Sequence, residues 1–422
     1  MTIAFFVEEA SRLFSHVYSC PRLFAHHLMS DSSQSKRLEA SSTPRYIIDI
    51  VALRKNLEIL AEVKQLADCK IVLALKGFAL WKSFPVIAEY LDGCCASGLW
   101  EAKLSHEEFG KHTLTYSPAY KEQELAELLD ISNHLDFNSA SQWLRFREMV
   151  TSHPRYISGK LKCGIRLNPE HSTGDTPIYD PCAAGSRLGA TAKSLQGVDL
   201  TGISGFHFHT LCEQNSNDLE TTLAALDSKF GDLLRRPEIT WLNMGGGHWI
   251  TKPDYDRELL IQLIKQTREL YNLDEIWLEP GEAIAIHSGV LEASVLDIVE
   301  NAGIQIAILD VSATCHMPDV LEMPYRPDLF GPDGELATTE GTYLYRLGGP
   351  SCLAGDVIGD YAFNKALQIG DTLTFDDMAH YTMVKTTTFN GVPHPSIVLK
   401  NDEGSLETVR EFRYSDFRDR LC

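Results

Sequence analysis

Residues 71–76, Ile-Val-Leu-Ala-Leu-Lys, join an uninterrupted apolar run to a lysine, and a helix-like pattern follows them. A run of this length is typical of a buried strand, which places Lys76 at the carboxyl end of that strand. Parallel β/α barrels keep their reactive groups at this end, where a lysine loses solvation and can act as a nucleophile. More often, a lysine at a strand end has no reactive role and simply extends its amine into solvent. The residues at the other strand ends must therefore show whether Lys76 is reactive or only solvent-exposed.

The segments that follow alternate short apolar stretches with helical patterns. This alternation predicts an α/β fold with a (β/α)8 barrel over residues 44–285. An additional strand within residues 44–50 could begin the barrel or join the domain that follows it. The predicted barrel strands are 70–77, 91–97, 113–117, 135–138, 161–167, 203–210, 240–244 and 276–279.

The pattern changes after residue 285, because helical periodicity nearly disappears. Strand candidates at 290–301, 305–311, 342–347 and 372–375 predict an antiparallel β domain over residues 286–422. Residues 1–43 lie before the barrel and end in a Ser-rich polar stretch, so we expect a disordered N-terminal extension.

Composition narrows the classes of partner. The 422-residue chain has a net charge of −20, which argues against nucleic acid or an anionic membrane surface and suits a cationic ligand. Its ten cysteines include no C-x-x-C pair and no zinc-like spacing, so we predict no metal site. Free thiols in a chain of this length indicate a reducing compartment, and we expect a cytoplasmic protein.

Three other predicted strand ends carry groups that could act beside Lys76. His207 and His209 share one face of the sixth strand, where an imidazole could stack on a flat ring or simply pack in the core. Residues Gly245–Gly247 follow the seventh strand, where successive backbone N–H groups could hold a phosphate. Glu279 ends the eighth strand and could pair with a pyridinium nitrogen or form a structural ion pair.

Together these strand ends supply an amine, a stacking ring, a phosphate loop and an anion. These are the parts that hold pyridoxal phosphate, so we predict this cofactor. Two C-terminal segments could add to the site. Residues 348–356 form a turn-rich loop in which the Cys352 thiol could donate a proton, and Tyr381 offers a phenol that could reach the phosphate.

The quoted segments resemble the fold-type III pyridoxal-phosphate decarboxylases, and within that family the carboxynorspermidine/carboxyspermidine decarboxylase group. The resemblance covers residues 44–400. It implies that Lys76 binds the cofactor, His209 stacks on its ring and Glu279 partners its nitrogen. It also implies phosphate contacts from Gly245, Gly246, Gly247 and Tyr381, and a catalytic Cys352 that reaches across a homodimer interface.

The departures from the family pattern bear on the substrate. Ornithine and diaminopimelate decarboxylases usually read Glu-Pro-Gly-Arg where this chain has Glu282 in the last position, and usually carry an acid where it has Leu353. Replacing Arg by Glu changes a site from anion-binding to cation-binding. We therefore predict a cationic polyamine substrate, with Glu282, Asp310 and Asp356 as the acids that contact it.

The resemblance thus predicts decarboxylation of carboxynorspermidine, carboxyspermidine or both, to norspermidine or spermidine. Three alternatives stay open at this point. Meso-diaminopimelate decarboxylase shares the site but needs a cationic group for its distal carboxylate. An amino-acid racemase shares both domains but usually lacks an acid at the ring nitrogen, and the third alternative is a non-catalytic pyridoxal-phosphate-binding protein.

Overall fold

A computed structural model describes residues 42–174 and 176–422, so the predicted N-terminal extension lies outside the described residues except for its last two positions. Eight parallel strands close into a barrel in chain order, which confirms the predicted fold class. The barrel strands are β2 (Lys70–Ala74), β3 (Gly93–Ala96), β4 (His112–Tyr116), β5 (His134–Phe137), β6 (Lys162–Arg166), β7 (Gly205–His207), β8 (Trp241–Asn243) and β9 (Glu275–Leu278).

Helices cover the outside of the barrel. Those of the barrel region are α1 (Ile50–Ala67), α2 (Phe84–Tyr90), α3 (Leu99–Leu104), α4 (Glu122–Ile131), α5 (Ala140–Thr151), α6 (Pro154–Ile157), α7 (Ala192–Leu195), α8 (Ser216–Leu234), α9 (Arg257–Tyr271) and α10 (Glu282–Ala285). Helix α9 shows why they form: the Asp256 carboxylate caps its first turn, and Leu260 and Ile264, four residues apart, are buried on one face.

A second sheet of nine strands stands beside the barrel. Its strands are β1 (Arg45–Asp49), β10 (Gly289–Asn301), β11 (Ile304–Leu309), β12 (Leu329–Phe330), β13 (Tyr343–Gly348), β14 (Val357–Phe363), β15 (Thr372–Phe375), β16 (Ser396–Lys400) and β17 (Leu406–Arg410). Short helices α11 (Ala313–His316), α12 (Asp319–Glu322) and α13 (Tyr414–Arg418) complete this part.

The pairing in this sheet corrects one expectation. The sheet is mostly antiparallel, but β1 pairs in parallel with β16 and β11 pairs in parallel with β13. Strand β1 also pairs antiparallel with β10, so the first strand of the described chain lies in the sheet and not in the barrel. Strands β12, β14, β16 and β17 were not predicted, because β12 has only two residues and polar or turn residues interrupt the pattern around the others.

Aromatic side chains fill the lower part of the barrel. The Trp241 indole lies so close to Gly205 that a Cβ there would come within 2.1 Å of it. Trp241 and Trp277 are both fully buried. These rings fill the barrel interior toward the amino ends of the strands. The open space therefore lies at the carboxyl ends, where the predicted site residues are found. Across the described residues, no helix has the length and apolar character that crossing a membrane requires.

Candidate active site

Lys76 follows the carboxyl end of β2 by two residues. The turn that carries it packs against the loop after β9, because a Cβ on Gly77 would lie 2.9 Å from the Cα of Gly281. The backbone of both loops can approach this closely only with glycine at these positions. The Lys76 side chain is exposed at the barrel mouth, so the expectation that it loses solvation is wrong.

His209 lies beside this lysine, with its Nε2 3.4 Å from Nζ of Lys76. Burial and the charge of Lys76 lower the pKa of His209 to about 3, so the imidazole is neutral. The backbone N–H of Gly246 donates to its Nδ1 at 3.0 Å, which assigns the ring proton to Nε2. His209 is therefore a neutral ring held in one orientation by the glycine loop.

Glu279 is a buried carboxylate below this ring, and its residue is 5% exposed. Its Oε2 accepts a hydrogen bond from Asn243 Nδ2 at 2.9 Å, and its Oε1 lies 3.1 Å from Nε2 of His207. Burial alone would raise the pKa of Glu279, but the charge of His207 and the contacts to both histidines lower it well below its usual range. The site thus contains a buried anion at neutral pH.

His207 and Asp136 form a second tier that sequence reasoning did not assign to the site. Nδ1 of His207 lies 3.2 Å from Oδ2 of Asp136, and all three groups of this Asp136–His207–Glu279 cluster are buried. The alternation along β7 did place His207 on the interior face. Asp136 stands within a predicted strand, but nothing in its local sequence distinguishes it from an acid at a strand edge.

The glycine loop has tight packing on both sides. A Cβ on Gly246 would lie 2.3 Å from the Glu279 carbonyl oxygen, and one on Gly247 would lie 2.0 Å from that of Leu211. The prediction that three successive N–H groups face one anion is wrong in part. The N–H of Gly245 donates to Asn243 Oδ1 at 2.9 Å and that of Gly246 donates to His209, so these two glycines support the site residues instead.

Tyr381 approaches the site from the loop after β15. Its backbone N–H donates to the carbonyl oxygen of Gly77 at 2.7 Å. Burial, followed by the charge of Glu282, raises the pKa of the Tyr381 phenol, which therefore stays neutral and can donate. Burial alone would lower the pKa of the neighbouring His380, but the charge of Asp377 raises it to about 9. His380 is thus a cation next in sequence to Tyr381, the predicted phosphate ligand.

Two acids lie near this loop. Glu282 accepts a hydrogen bond from the Trp249 indole N–H at 3.1 Å. Glu213 follows β7 and was not predicted; burial and then the charge of Glu282 raise its pKa to about 7. The positive charges of Lys252 and His380 lower the pKa of both acids and so partly offset this effect. These carboxylates repel each other, which a cationic ligand would relieve.

A cavity of about 240 Å³ lies at the mouth of the barrel, and Lys76, His209 and Glu279 all line it. The other nine residues of its wall were not predicted as site residues, and Arg166 and Cys95 are two of them. Arg166 donates through Nη2 to the His209 carbonyl oxygen at 3.1 Å, and its guanidinium carbon lies 4.7 Å from the Tyr116 ring centroid. Cys95 also lines the cavity, and burial raises the pKa of its thiol, which keeps it protonated.

Eight predicted residues do not line this cavity: the three loop glycines, Tyr381 and Glu282, which are described above, and Cys352, Asp310 and Asp356. Cys352 is exposed, and its N–H donates to Asn390 Oδ1 at 2.8 Å. Asp356 is buried within its own loop, where its oxygens accept hydrogen bonds from Ser312 Oγ at 2.8 Å and the Thr314 N–H at 3.3 Å. Asp310 accepts from the Ser294 N–H at 2.8 Å in the second sheet. The substrate contacts of these two acids stay predictions.

Comparison with known families decides what kind of site this is. Residues 16–379 match the profile of the family described as pyridoxal-dependent decarboxylase, C-terminal sheet domain. The chain belongs to this family. The match begins at residue 16, so the expectation that residues 1–43 lie wholly outside the resemblance is wrong. As a pyridoxal-dependent decarboxylase, the chain uses pyridoxal phosphate and is a carboxy-lyase.

Two relatives match nearly the full length of this decarboxylase. It is 45% identical over 388 residues to the carboxyaminopropylagmatine decarboxylase of Synechocystis, covering 92% of this chain and 97% of that protein. It is 44% identical over 388 residues to the carboxynorspermidine/carboxyspermidine decarboxylase of Campylobacter jejuni, covering 90% and 98%.

Solved structures agree with this assignment. The crystal structure of carboxynorspermidine decarboxylase complexed with norspermidine from Campylobacter jejuni has a TM-score of 0.80 at 43% identity, covering 90% of this chain and all of that one. Diaminopimelate decarboxylase from Helicobacter pylori, at 17% identity and a TM-score of 0.74, covers 90% of this chain and shows the shared fold.

The site residues of this decarboxylase fit the cofactor. The buried Glu279 carboxylate stays charged beside His207, so it suits a protonated ring nitrogen. The glycine loop leaves no room for side chains next to Glu279 and His209, so flat rings and backbone can pack closely there. Lys76 and Tyr381 are joined through Gly77, which places an amine and a phenol at one edge of the site.

Proposed function

We propose that this chain decarboxylates a carboxylated polyamine at its amino-acid end, with carboxynorspermidine and carboxyspermidine as substrates. The observation that carries the proposal is the acid pair Glu213 and Glu282, whose charges act on Tyr381 in the loop that contacts Gly77. A substrate with cationic nitrogens gains from this charge, whereas one with a distal carboxylate is repelled. The names of the relatives at 44–45% identity support the same substrate class.

We assign the site residues the following roles. Lys76 would hold the cofactor, and the neutral ring of His209 would pack against it. Glu279 would keep its ring nitrogen protonated, while the Tyr381 phenol and the Gly247 N–H would bind its phosphate. When bound, the cofactor supplies an electron sink for the charge that develops at the α-carbon as carbon dioxide leaves.

The chain acts as a homodimer in this proposal, with Cys352 of one copy serving the Lys76 site of the other. Two observations support it. Cys352 stands on an exposed loop and does not line the cavity of its own chain. The thiol that does line the cavity, Cys95, is buried on β3 below the lysine, where its raised pKa suits an inert core position.

We also propose that the enzyme works in the cytoplasm. All nine cysteines among the described residues are free, and five of them are buried. Free thiols in such number persist where the compartment is reducing.

A second candidate substrate is carboxyaminopropylagmatine, which the Synechocystis relative acts on by its name. A guanidinium end is also cationic and planar, so an acid pair can bind it as well as an amine. Diaminopimelate is disfavoured because Glu282 stands where its distal carboxylate would need a cation. A racemase is disfavoured by the anion at Glu279, and a non-catalytic binding protein by the presence of Lys76, His209 and Glu279 in one cavity.

The test is product formation by purified enzyme with added cofactor. Carboxynorspermidine, carboxyspermidine, carboxyaminopropylagmatine and meso-diaminopimelate are offered separately, and the amines formed are separated and quantified. Norspermidine or spermidine as the main product supports the first proposal, and aminopropylagmatine supports the second candidate. Lysine as the main product would show that the acid pair has been misinterpreted. No product from any substrate, despite bound cofactor, would leave a racemase or a binding protein.

A further inference from the structure

The Asp136–His207–Glu279 cluster lies directly beneath the reactive site, and none of the roles assigned above uses His207 or Asp136. The three side chains come from three separate barrel strands, β5, β7 and the end of β9. Both His207 nitrogens lie within ion-pair distance of carboxylate oxygens, at 3.2 Å on the Asp136 side and 3.1 Å on the Glu279 side, although neither makes a well-aligned hydrogen bond.

The geometry sets the protonation of His207. Two carboxylate oxygens within 3.2 Å of one buried ring favour its imidazolium form, because each opposite charge at that distance stabilises the cation. His207 is 1% exposed, so water cannot serve the second carboxylate instead. Burial alone would lower the pKa of His207, but the charges of Glu279 and Asp136 raise it. The buried cluster therefore places a cation between two acids.

The other groups around the cluster do not replace this cation. The Tyr116 ring meets the His207 ring edge to face, with centroids 5.4 Å apart, and its phenol donates to Asn138. Arg166 acts on Asp136 from β6 but directs Nη2 to the His209 carbonyl oxygen. His209 is neutral. Among the described residues, His207 is the cationic group within ion-pair distance of Glu279.

We propose that His207, held by Asp136, is a positioning residue that fixes Glu279 as the anion paired with the cofactor ring nitrogen. With His207 in place, Glu279 stays ionised and would hold the proton on the cofactor ring nitrogen. Without it, two buried carboxylates lose their shared cation, and Glu279 gains a proton of its own. The inference rests on the cofactor and not on the choice of substrate, so it holds for each candidate substrate above.

The test compares His207→Asn with a matched control, His134→Asn. His134 is also buried inside the barrel, but it packs between Trp241 and Trp277, with Glu275 as its nearest acid at 3.8 Å. Both variants are loaded with cofactor labelled with nitrogen-15 in its ring. NMR then reports the protonation of that nitrogen across a pH series, and kcat is measured beside it.

The expected result is that the ring nitrogen of the His207→Asn enzyme loses its proton at lower pH than in wild type. We expect kcat to fall by about 10- to 100-fold, as for residues that orient a primary site group, and His134→Asn to leave both readouts unchanged. In a Glu279→Gln background, His207→Asn should change kcat by less than about 3-fold, because the two residues act as one unit.

Two results would overturn the inference. One is a cofactor ring nitrogen that titrates in the His207→Asn enzyme as it does in wild type. The other is that His207→Asn lowers kcat by the same factor in the Glu279→Gln background as in the wild-type background. If His207→Asn does not fold, Asp136→Asn takes its place, since it weakens the cation without removing the ring. It should shift the ring titration to lower pH by a smaller amount, and an unshifted titration would overturn the proposal. Failure of the wild-type enzyme to bind cofactor would instead contradict the family assignment.

Discussion

The backbone N–H of Tyr381 donates to the carbonyl oxygen of Gly77 at 2.7 Å, one residue beyond Lys76. This bond joins the loop after β15 in the second sheet to the turn after β2 in the barrel. Tyr381 has a φ of +46°, a left-handed conformation that is costly for a large residue and persists where its surroundings hold it. The site is therefore assembled from both parts of the chain.

Tyr381→Phe tests the role of the phenol. Removing a hydrogen bond to a charged phosphate costs about 1.5–3 kcal/mol, so the cofactor dissociation constant should rise about 10- to 100-fold. Fluorescence titration of the cofactor-free enzyme measures this. Tyr361→Phe is the control, since its buried hydroxyl donates to Pro327 in the sheet and should affect stability alone. Equal cofactor affinity in Tyr381→Phe and wild type would refute the phosphate contact.

Gly246→Ala tests the packing of the glycine loop. The added methyl would meet the Glu279 carbonyl oxygen at 2.3 Å, so the loop or the backbone of Glu279 must move. We expect a loss of about 1–3 kcal/mol in the free energy of unfolding, as for overpacked sites, together with weaker cofactor binding. Gly355→Ala is the matched control, because nothing lies within 4 Å of its added methyl. Chemical denaturation with and without cofactor separates the two effects.

Glu213→Gln tests the repulsion within the acid pair through pH. The folded-state pKa of Glu213 is about 7, above the ordinary value of 4.5, so the folded state binds this proton more tightly. Its contribution to stability is fully present below pH 4.5 and is lost as the pH rises through 7.

Without substrate, the free energy of unfolding of Glu213→Gln should therefore equal that of wild type in acid. At pH 8 it should be higher by about 2 kcal/mol, a figure that allows for the partial exposure of Glu213. The variant should also show a higher KM for a polyamine substrate. Unfolding curves at several pH values test the first part. A variant less stable than wild type at pH 8 would contradict the account of this pair.

A mixture of Lys76→Ala and Cys352→Ala chains tests the shared site. Each variant alone lacks one needed group in both sites. Random pairing makes half of the dimers hybrids with one intact site, so activity should return to about a quarter of the wild-type value. Co-expression with two affinity tags isolates the hybrid. Isolated hybrids that are no more active than the parent variants would show that thiol and lysine belong to one chain.

Much of this site could be predicted from the sequence, because the order of strand ends fixes which residues meet at the barrel mouth. Lys76, His209 and Glu279 each follow an apolar run, and their convergence needs no side-chain detail. Glu213 and Arg166 could not be assigned this way, since an acid in a loop and an arginine in a strand have many ordinary roles. Their importance comes from contacts between segments distant in the chain.

The errors have equally particular causes. The exposure of Lys76 depends on a turn two residues past the strand, which strand periodicity does not describe. The N–H groups of Gly245 and Gly246 are taken up by Asn243 and His209, and such local bonds cannot be read from glycine spacing. The parallel pairing of β1 with β16 joins the two ends of the described chain, beyond the range of any local pattern.

The most direct test of the central claim is reduction of the cofactor-loaded enzyme with borohydride, followed by peptide mapping and an assay of carbon dioxide release from carboxynorspermidine. Reduction makes the bond between a lysine and pyridoxal phosphate permanent. The account predicts that the label is on Lys76, that reduced enzyme releases no carbon dioxide, and that Lys76→Ala has neither label nor activity. A label on another lysine, or appreciable carbon dioxide release by Lys76→Ala, would contradict it.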